Sequence, residues 1–167
     1  PISQKQKLFK STHNFENDIL VSARNIAKRY MSNKSHTQAV AQVANIIFDS
    51  MKKVHGMGSR EKLLLQIAVI LHDCGKYISM SNAAECSYAI IMSTEIIGLS
   101  HMEREVIASV VRFNSEPFKY YGEADSKSAI DRDTYMLIGK LTAILRVANA
   151  LDRSHEQKVE EVKAAVK

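Results

Sequence analysis

Three features of this 167-residue chain predict an all-α fold. Apolar residues recur every three to four positions over most of its length, the period of a helix with one buried face. Only six glycines and two prolines are present, and these are the residues that break helices. No stretch alternates apolar and polar residues at the period of two that marks a half-buried strand. A bundle of about six to eight helices, one domain over residues 1–167, fits a chain of this length. Tryptophan is absent and aromatic residues make up 7%, so the core is aliphatic.

The elements follow in order. Residues 16–31 carry Ile19, Ala23, Ile26, Ala27 and Tyr30 at helical spacing. Residues 35–54 repeat the pattern with Val40, Val43, Ala44, Ile47, Phe48, Met51 and Val54, and Gly56 and Gly58 stop that helix. Ser59 is positioned to cap the next helix. That helix, from Leu63 to Leu71, is apolar nearly all round, so it is expected at the centre. Residues 82–97 form another helix through Tyr88, Ile91, Met92 and Ile96. Ser100 and Glu103 fit a capping box ahead of Val106, Ile107, Val110 and Val111. Residues 114–131 contain Pro117 and Gly122 and read as a long loop. A last strong helix runs from about Asp133 to Leu151, and the charged tail from Glu156 to Lys167 is expected to continue helically.

Charge and composition narrow the function. The net charge of +5 and a pI near 9.2 suit an anionic partner such as a nucleotide or polyphosphate, though a soluble surface rich in lysine carries as much. Two cysteines, Cys74 and Cys86, give no disulfide framework and fit a reduced, cytoplasmic setting. No apolar run approaches the ~20 residues of a membrane span. The N-terminus lacks the apolar core of a signal peptide. The chain starts at Pro1 rather than Met and ends in a charged pattern, which suggests a fragment of a longer enzyme.

The most informative segment is Ala68-Val-Ile-Leu-His72-Asp73-Cys-Gly-Lys76-Tyr-Ile78, where an apolar helix ends in a His-Asp pair. An unpaired charge or imidazole is costly to bury. A metal ion, a phosphate-bearing ligand or a hydrogen-bond network must therefore satisfy the pair. His36, four residues before Val40, lies on the apolar stripe of its helix. It reads either as a ligand aimed into a site or as a satisfied core histidine. Asn149 and Asp152 stand near the end of the last helix, in Leu145-Arg146-Val-Ala-Asn149-Ala-Leu-Asp152-Arg153-Ser-His155.

This order of His, His-Asp and a late acidic helix resembles the HD-domain superfamily, whose members are all-α phosphohydrolases holding one or two divalent metals. Residues 69–100 and 145–155 further resemble the C-terminal region of the exopolyphosphatase / guanosine pentaphosphate phosphatase family. The resemblance spans residues 36 to about 160. It implies hydrolysis of polyphosphate or of the terminal phosphate of guanosine pentaphosphate by a parent chain whose chemistry resides in N-terminal actin-like domains. Nothing in this sequence resembles those domains.

The same resemblance assigns the metal positions to His36, His72, Asp73, Cys86 and Asn149. Three depart from the pattern. Cys86 stands for His, Phe113-Asn114 for a Tyr-His step, and Asn149 for a metal-binding Asp. Asn offers a neutral oxygen where a hard cation wants an anionic one, while Cys86 suits zinc as a thiolate. Asp152 lies three residues beyond Asn149 on roughly the same face, but the family pattern places it outside the site. The cofactor expected is at most one divalent ion on His36, His72 and Asp73. A vestigial hydrogen-bonded cluster and an active two-metal centre, which needs bridging carboxylates, are the alternatives.

Basic side chains give a second route. Lys76, Arg146 and Arg153 are candidate phosphate ligands through charge-assisted hydrogen bonds. Lys140 and the group Lys52, Lys53, Arg60 and Lys62 are further cations, each also readable as a solvated helix face. The expected role is a C-terminal, HD-type module with a degenerate metal site. It would assist binding of polyphosphate or phosphorylated guanosine, dimerise, and work beside the missing N-terminal domains. A stand-alone metal-dependent phosphohydrolase acting on a nucleotide or phosphoester is the alternative. A nucleic-acid-binding helical domain is a third reading, against which stands the lack of basic-aromatic interleaving. With no Gly-rich phosphate loop, the isolated chain is expected to release little phosphate from polyphosphate.

Overall fold

The computed structural model describes residues 2–119, 121 and 130–166, with side chains from Phe15 onward. Seven α-helices occur among them: α1 (Ile2–Arg29), α2 (Lys34–Ser50), α3 (Lys52–His55), α4 (Ser59–Leu71), α5 (Ala83–Ser93), α6 (His101–Ser115) and α7 (Arg132–Leu151). A short 3-10 turn, Cys74–Tyr77, joins α4 to α5. No strand occurs among the described residues. The all-α expectation holds, and its physical reason is the aliphatic stripe on almost every helix.

The central helix is α4, as its all-round apolar sequence predicts. Leu65, Ile67, Ala68 and Leu71 are fully buried, and α4 packs against α1, α2, α6 and α7. Ile107, Val110, Ile138, Leu141 and Leu145 close the core from α6 and α7. Helix α5 packs against both the 3-10 turn and α6. The functional end of α4 is thereby held by helices on several sides.

Local signals were read with mixed success. The Ser100–Glu103 box forms as expected: Glu103 N–H donates to Ser100 Oγ (3.1 Å) and Ser100 N–H to Glu103 Oε2 (2.8 Å). Ser59, by contrast, is the first helical residue rather than the cap. Gly58 occupies the cap position, and its N–H donates to Glu61 Oε2 at 2.9 Å. The single helix expected over residues 35–54 breaks at Met51 into α2 and α3, leaving Val54 exposed. His55 drives the break. Its Nε2 donates to the Phe48 carbonyl (2.7 Å) and its Nδ1 accepts from Met57 N–H (2.9 Å), which hooks the chain back before Gly56 turns it at φ +67°.

Two further expectations are corrected or lie partly out of view. Helix α6 runs to Ser115, residues 116–119 are non-helical, and positions 120 and 122–129 of the expected loop lie outside the described residues. The helical tail does not form. Helix α7 ends at Leu151, residues 152–154 turn, and residues 157–166 have no regular structure. Its Glu- and Lys-rich sequence has helix propensity but little to bury, and packing rather than propensity stabilises most helices in proteins.

Candidate functional site

Asn33 caps α2 by accepting the His36 N–H at 3.0 Å. His36 therefore sits in the first turn, on the buried face with Val40, and is fully enclosed. His72 and Asp73 follow the last residue of α4, where the chain leaves helical geometry for the 3-10 turn. Helix α7 crosses α2 and brings Asn149 and Asp152 to His36. Three segments distant in sequence thus meet at one point.

Hydrogen-bond partners fix the imidazoles. His36 Nδ1 lies 2.8 Å from Asp152 Oδ2. A carboxylate only accepts, so Nδ1 carries a proton, and Nε2 faces His72 and Asn149. His72 Nδ1 lies 2.6 Å from the Val69 carbonyl, so this ring too is protonated at Nδ1 and bare at Nε2. The two Nε2 atoms are 3.3 Å apart. Asp73 Oδ2 is 3.9 Å from the first and 3.6 Å from the second. Asn149 Oδ1 is 3.0 Å from His36 Nε2.

Three lone-pair atoms at mutual distances of 3.3–3.9 Å form a face suited to one ion. Ligands about 2.0–2.1 Å from a tetrahedral metal are about 3.3–3.4 Å from one another. Without a cation or proton between them the lone pairs repel. A proton is disfavoured at His72, because burial lowers its pKa despite the opposing pull of Asp73. The distances among these three atoms fit a single divalent cation.

The surrounding charges tune this set. Asp73 Oδ1 takes Lys76 Nζ at 2.8 Å and leaves Oδ2 for the imidazoles. Burial raises the Asp73 pKa, but the Lys76 ammonium bonded to it helps hold the carboxyl below its ordinary value. Burial likewise opposes ionisation of Asp152, and the Gln157 and His36 hydrogen bonds more than offset it. Both carboxylates are thus anions at neutral pH.

These shifts make the fold acid-sensitive. Unfolding lets His72 bind a proton that the fold resists. Below its unfolded pKa of about 6.5 the unfolded chain holds more protons, and stability falls as pH falls. Asp73 and Asp152 act in the same direction below about pH 4. The urea midpoint of the metal-free chain is expected to be lower at pH 5.5 than at pH 7.5, and an equal or higher midpoint at pH 5.5 would contradict this.

Some residues assigned from sequence do not join the cluster. Cys86 is half-buried on α5. The residue of that helix that reaches the turn is Ser87, whose Oγ accepts from Gly75 N–H at 2.8 Å. A helix step rotates neighbouring side chains by about 100°, and this turns Cys86 away from the contact Ser87 makes. Arg146 is engaged elsewhere: its Nε donates to the Phe113 carbonyl at 2.7 Å and its Nη2 to the Glu116 carbonyl. It ties α7 to the end of α6, away from the His36–His72–Asp73 cluster. Lys62 pairs with Asp49, Arg60 with Glu103, and Lys140 donates to the His55 carbonyl. Arg153 is exposed just beyond α7.

Two partners escaped sequence reading. Asp152, set outside the site by the family pattern, is 4% exposed and orients His36. His155 stacks on the His36 ring, with centroids 3.6 Å apart and planes 4° from parallel. The spacing of Asn149 and Asp152 carried a signal for the former, and nothing local pointed to the latter.

The family model described as Ppx/GppA phosphatase, domain III, matches residues 20–167. The chain belongs to the Ppx/GppA phosphatase family. The resemblance read from residues 69–100 and 145–155 is thereby borne out, and the match takes in α2 through α7 with the core-facing part of α1. No match was found among curated proteins. Every segment that contributes to the cluster lies within the Ppx/GppA domain III match.

Proposed function

We propose that this domain III is a non-catalytic, HD-type module of an exopolyphosphatase-like enzyme. It holds one divalent ion on His36, His72 and Asp73, with the neutral oxygen of Asn149 beside it. Ion and module together help grip polyphosphate or a phosphorylated guanosine for the companion domains of the parent chain, and the module contributes to dimerisation. The observation that carries this reading is the convergence of two imidazole Nε2 atoms and one carboxylate oxygen at 3.3–3.9 Å.

A bound divalent ion supplies positive charge for phosphate oxygens. The protein adds Lys76, whose side chain is 40% exposed beside Asp73, and the exposed Arg153. A catalytic two-metal centre fits poorly. It needs bridging carboxylates, and here Asn149 replaces one while Asp152 is committed to the far side of the His36 ring.

Calorimetric titration of the purified chain with zinc or manganese tests this, followed by titration with polyphosphate. One ion per chain, tighter polyphosphate binding with the ion than without, and negligible phosphate release are the expected results. Arg153→Ala is expected to weaken polyphosphate binding a few-fold and leave ion binding intact, as befits one exposed charge contact. Absence of ion binding, or rapid phosphate release from the chain, would remove this reading.

A further inference from the structure

Past α7 the chain does not leave the bundle. Residues 152–157 fold back over His36 as a strap, and its anchor is Asp152. The Asp152 carbonyl accepts from His155 N–H at 2.9 Å. Its Oδ1 accepts from Gln157 N–H at 2.7 Å, and its Oδ2 from Gln157 Nε2 at 3.0 Å. That same Oδ2 takes the His36 Nδ1 proton at 2.8 Å. A single carboxylate therefore fixes the orientation of His36 and the path of the strap.

The strap is bent against local preference. His155 and Gln157 are both left-handed, at φ +58° and +50°, a conformation that costs a non-glycine residue of order 1 kcal/mol or more. The bonds to Asp152 hold them there. The outcome is a ring laid flat on His36 at 3.6 Å, close enough that a turn of the His155 ring out of the stack brings its in-plane lone pair to an ion held by His36. One donor atom each from His36, Asp73 and His155 then lies within 4.8 Å of the others.

We propose that His155 is a ligand of the ion held by His36, His72 and Asp73, delivered by the 152–157 strap, and that the completed set selects zinc or a similarly borderline ion. This rests on the reading of the cluster as an ion site and deepens it. Three imidazoles and one carboxylate suit zinc or cobalt. Magnesium and calcium take shells dominated by oxygen and gain little from imidazole. His155 also supplies what Asn149 fails to supply, a strong fourth donor. Because the strap is anchored through Asp152, the order of the C-terminal segment and the occupancy of the site are linked: ion binding tightens the strap, and a displaced strap weakens the ion.

Cobalt provides the test, since its visible absorption reports coordination number and donor set without any catalytic assay. Zinc affinity is measured beside it for the wild type, His155→Ala, His155→Phe and His72→Ala. The phenylalanine keeps a flat ring against His36 and removes the donor. Neither substitution at 155 touches the helical core, so circular dichroism is expected to be unchanged. Loss of an outer partner of a metal site costs about 10–100-fold in affinity, and loss of a direct ligand no less. Both variants at 155 are therefore expected to bind zinc at least about tenfold more weakly and to shift the cobalt spectrum. His155→Phe with wild-type affinity and spectrum would overturn the proposal, leaving His155 as a stacking wall and the ion site intact. Failure of the wild type itself to bind zinc or cobalt would remove the site and this proposal together. Wild-type binding abolished by His72→Ala but indifferent to both changes at 155 would overturn the strap's role alone.

Discussion

Gly75→Ala is expected to destabilise the domain by about 2–3 kcal/mol, the upper range for forcing an extra methyl into a packed interior, and to abolish ion binding. A Cβ at this position would overlap the Ala83 carbonyl oxygen and the Ser87 amide nitrogen and come within 2.5 Å of Ser87 Oγ. Two of these atoms are backbone, so no side-chain rotation relieves the overlap. The 3-10 turn must move off α5, breaking the Gly75–Ser87 hydrogen bond. Asp73 and Lys76 are part of or adjacent to that turn, so the carboxylate would leave the imidazoles. Ser87→Ala separates the two effects: it removes one buried hydrogen bond, costs roughly 1 kcal/mol, and keeps the turn in place. Urea denaturation and zinc titration of both variants check this. A wild-type midpoint for Gly75→Ala would show that the turn is not packed as described.

The fold and half of the site were legible because they depend on local pattern. Helical periodicity placed α4 at the centre, and the abrupt end of its apolar run at His72-Asp73 marked a site before any contact was known. His36 was legible for a similar reason, as a polar residue on an apolar stripe. The Asp152–His36 contact spans 116 residues and exists because α7 ends at Leu151. The family pattern set Asp152 outside the site, and a tail from Glu156 to Lys167 expected to be helical left His155 no path back over His36. Cys86 and Arg146 lie apart from the cluster for a different reason. Their chemistry suited the assigned roles, but a side chain serves whichever partner its helix face meets. For Arg146 that partner is the end of α6, and on α5 the face toward the turn belongs to Ser87.

Asn149→Asp is expected to tighten zinc or manganese binding by about tenfold or more, equivalent to about 1.4 kcal/mol. The reason is geometric as well as electrostatic. Asn149 Oδ1 already lies 3.0 Å from His36 Nε2, so the substitution turns a neutral oxygen into an anionic one without moving the backbone. Zinc admits five ligands, so the new carboxylate need not displace any of the others. Manganese, which favours oxygen donors, should gain relatively more than zinc. The gain depends on pH with a definite sign. A new anion also favours protonated imidazole, and metal binding must displace those protons. Proton competition is strong at pH 6 and weak at pH 8, so the improvement over wild type should be larger at pH 8. Calorimetry at both pH values, in two buffers of different ionisation enthalpy, measures affinity and protons released together. Equal affinity of variant and wild type at pH 8 would mean that position 149 does not face the ion. The Asn149–His36 contact would then be a structural hydrogen bond, with the amide nitrogen rather than the oxygen toward the ring.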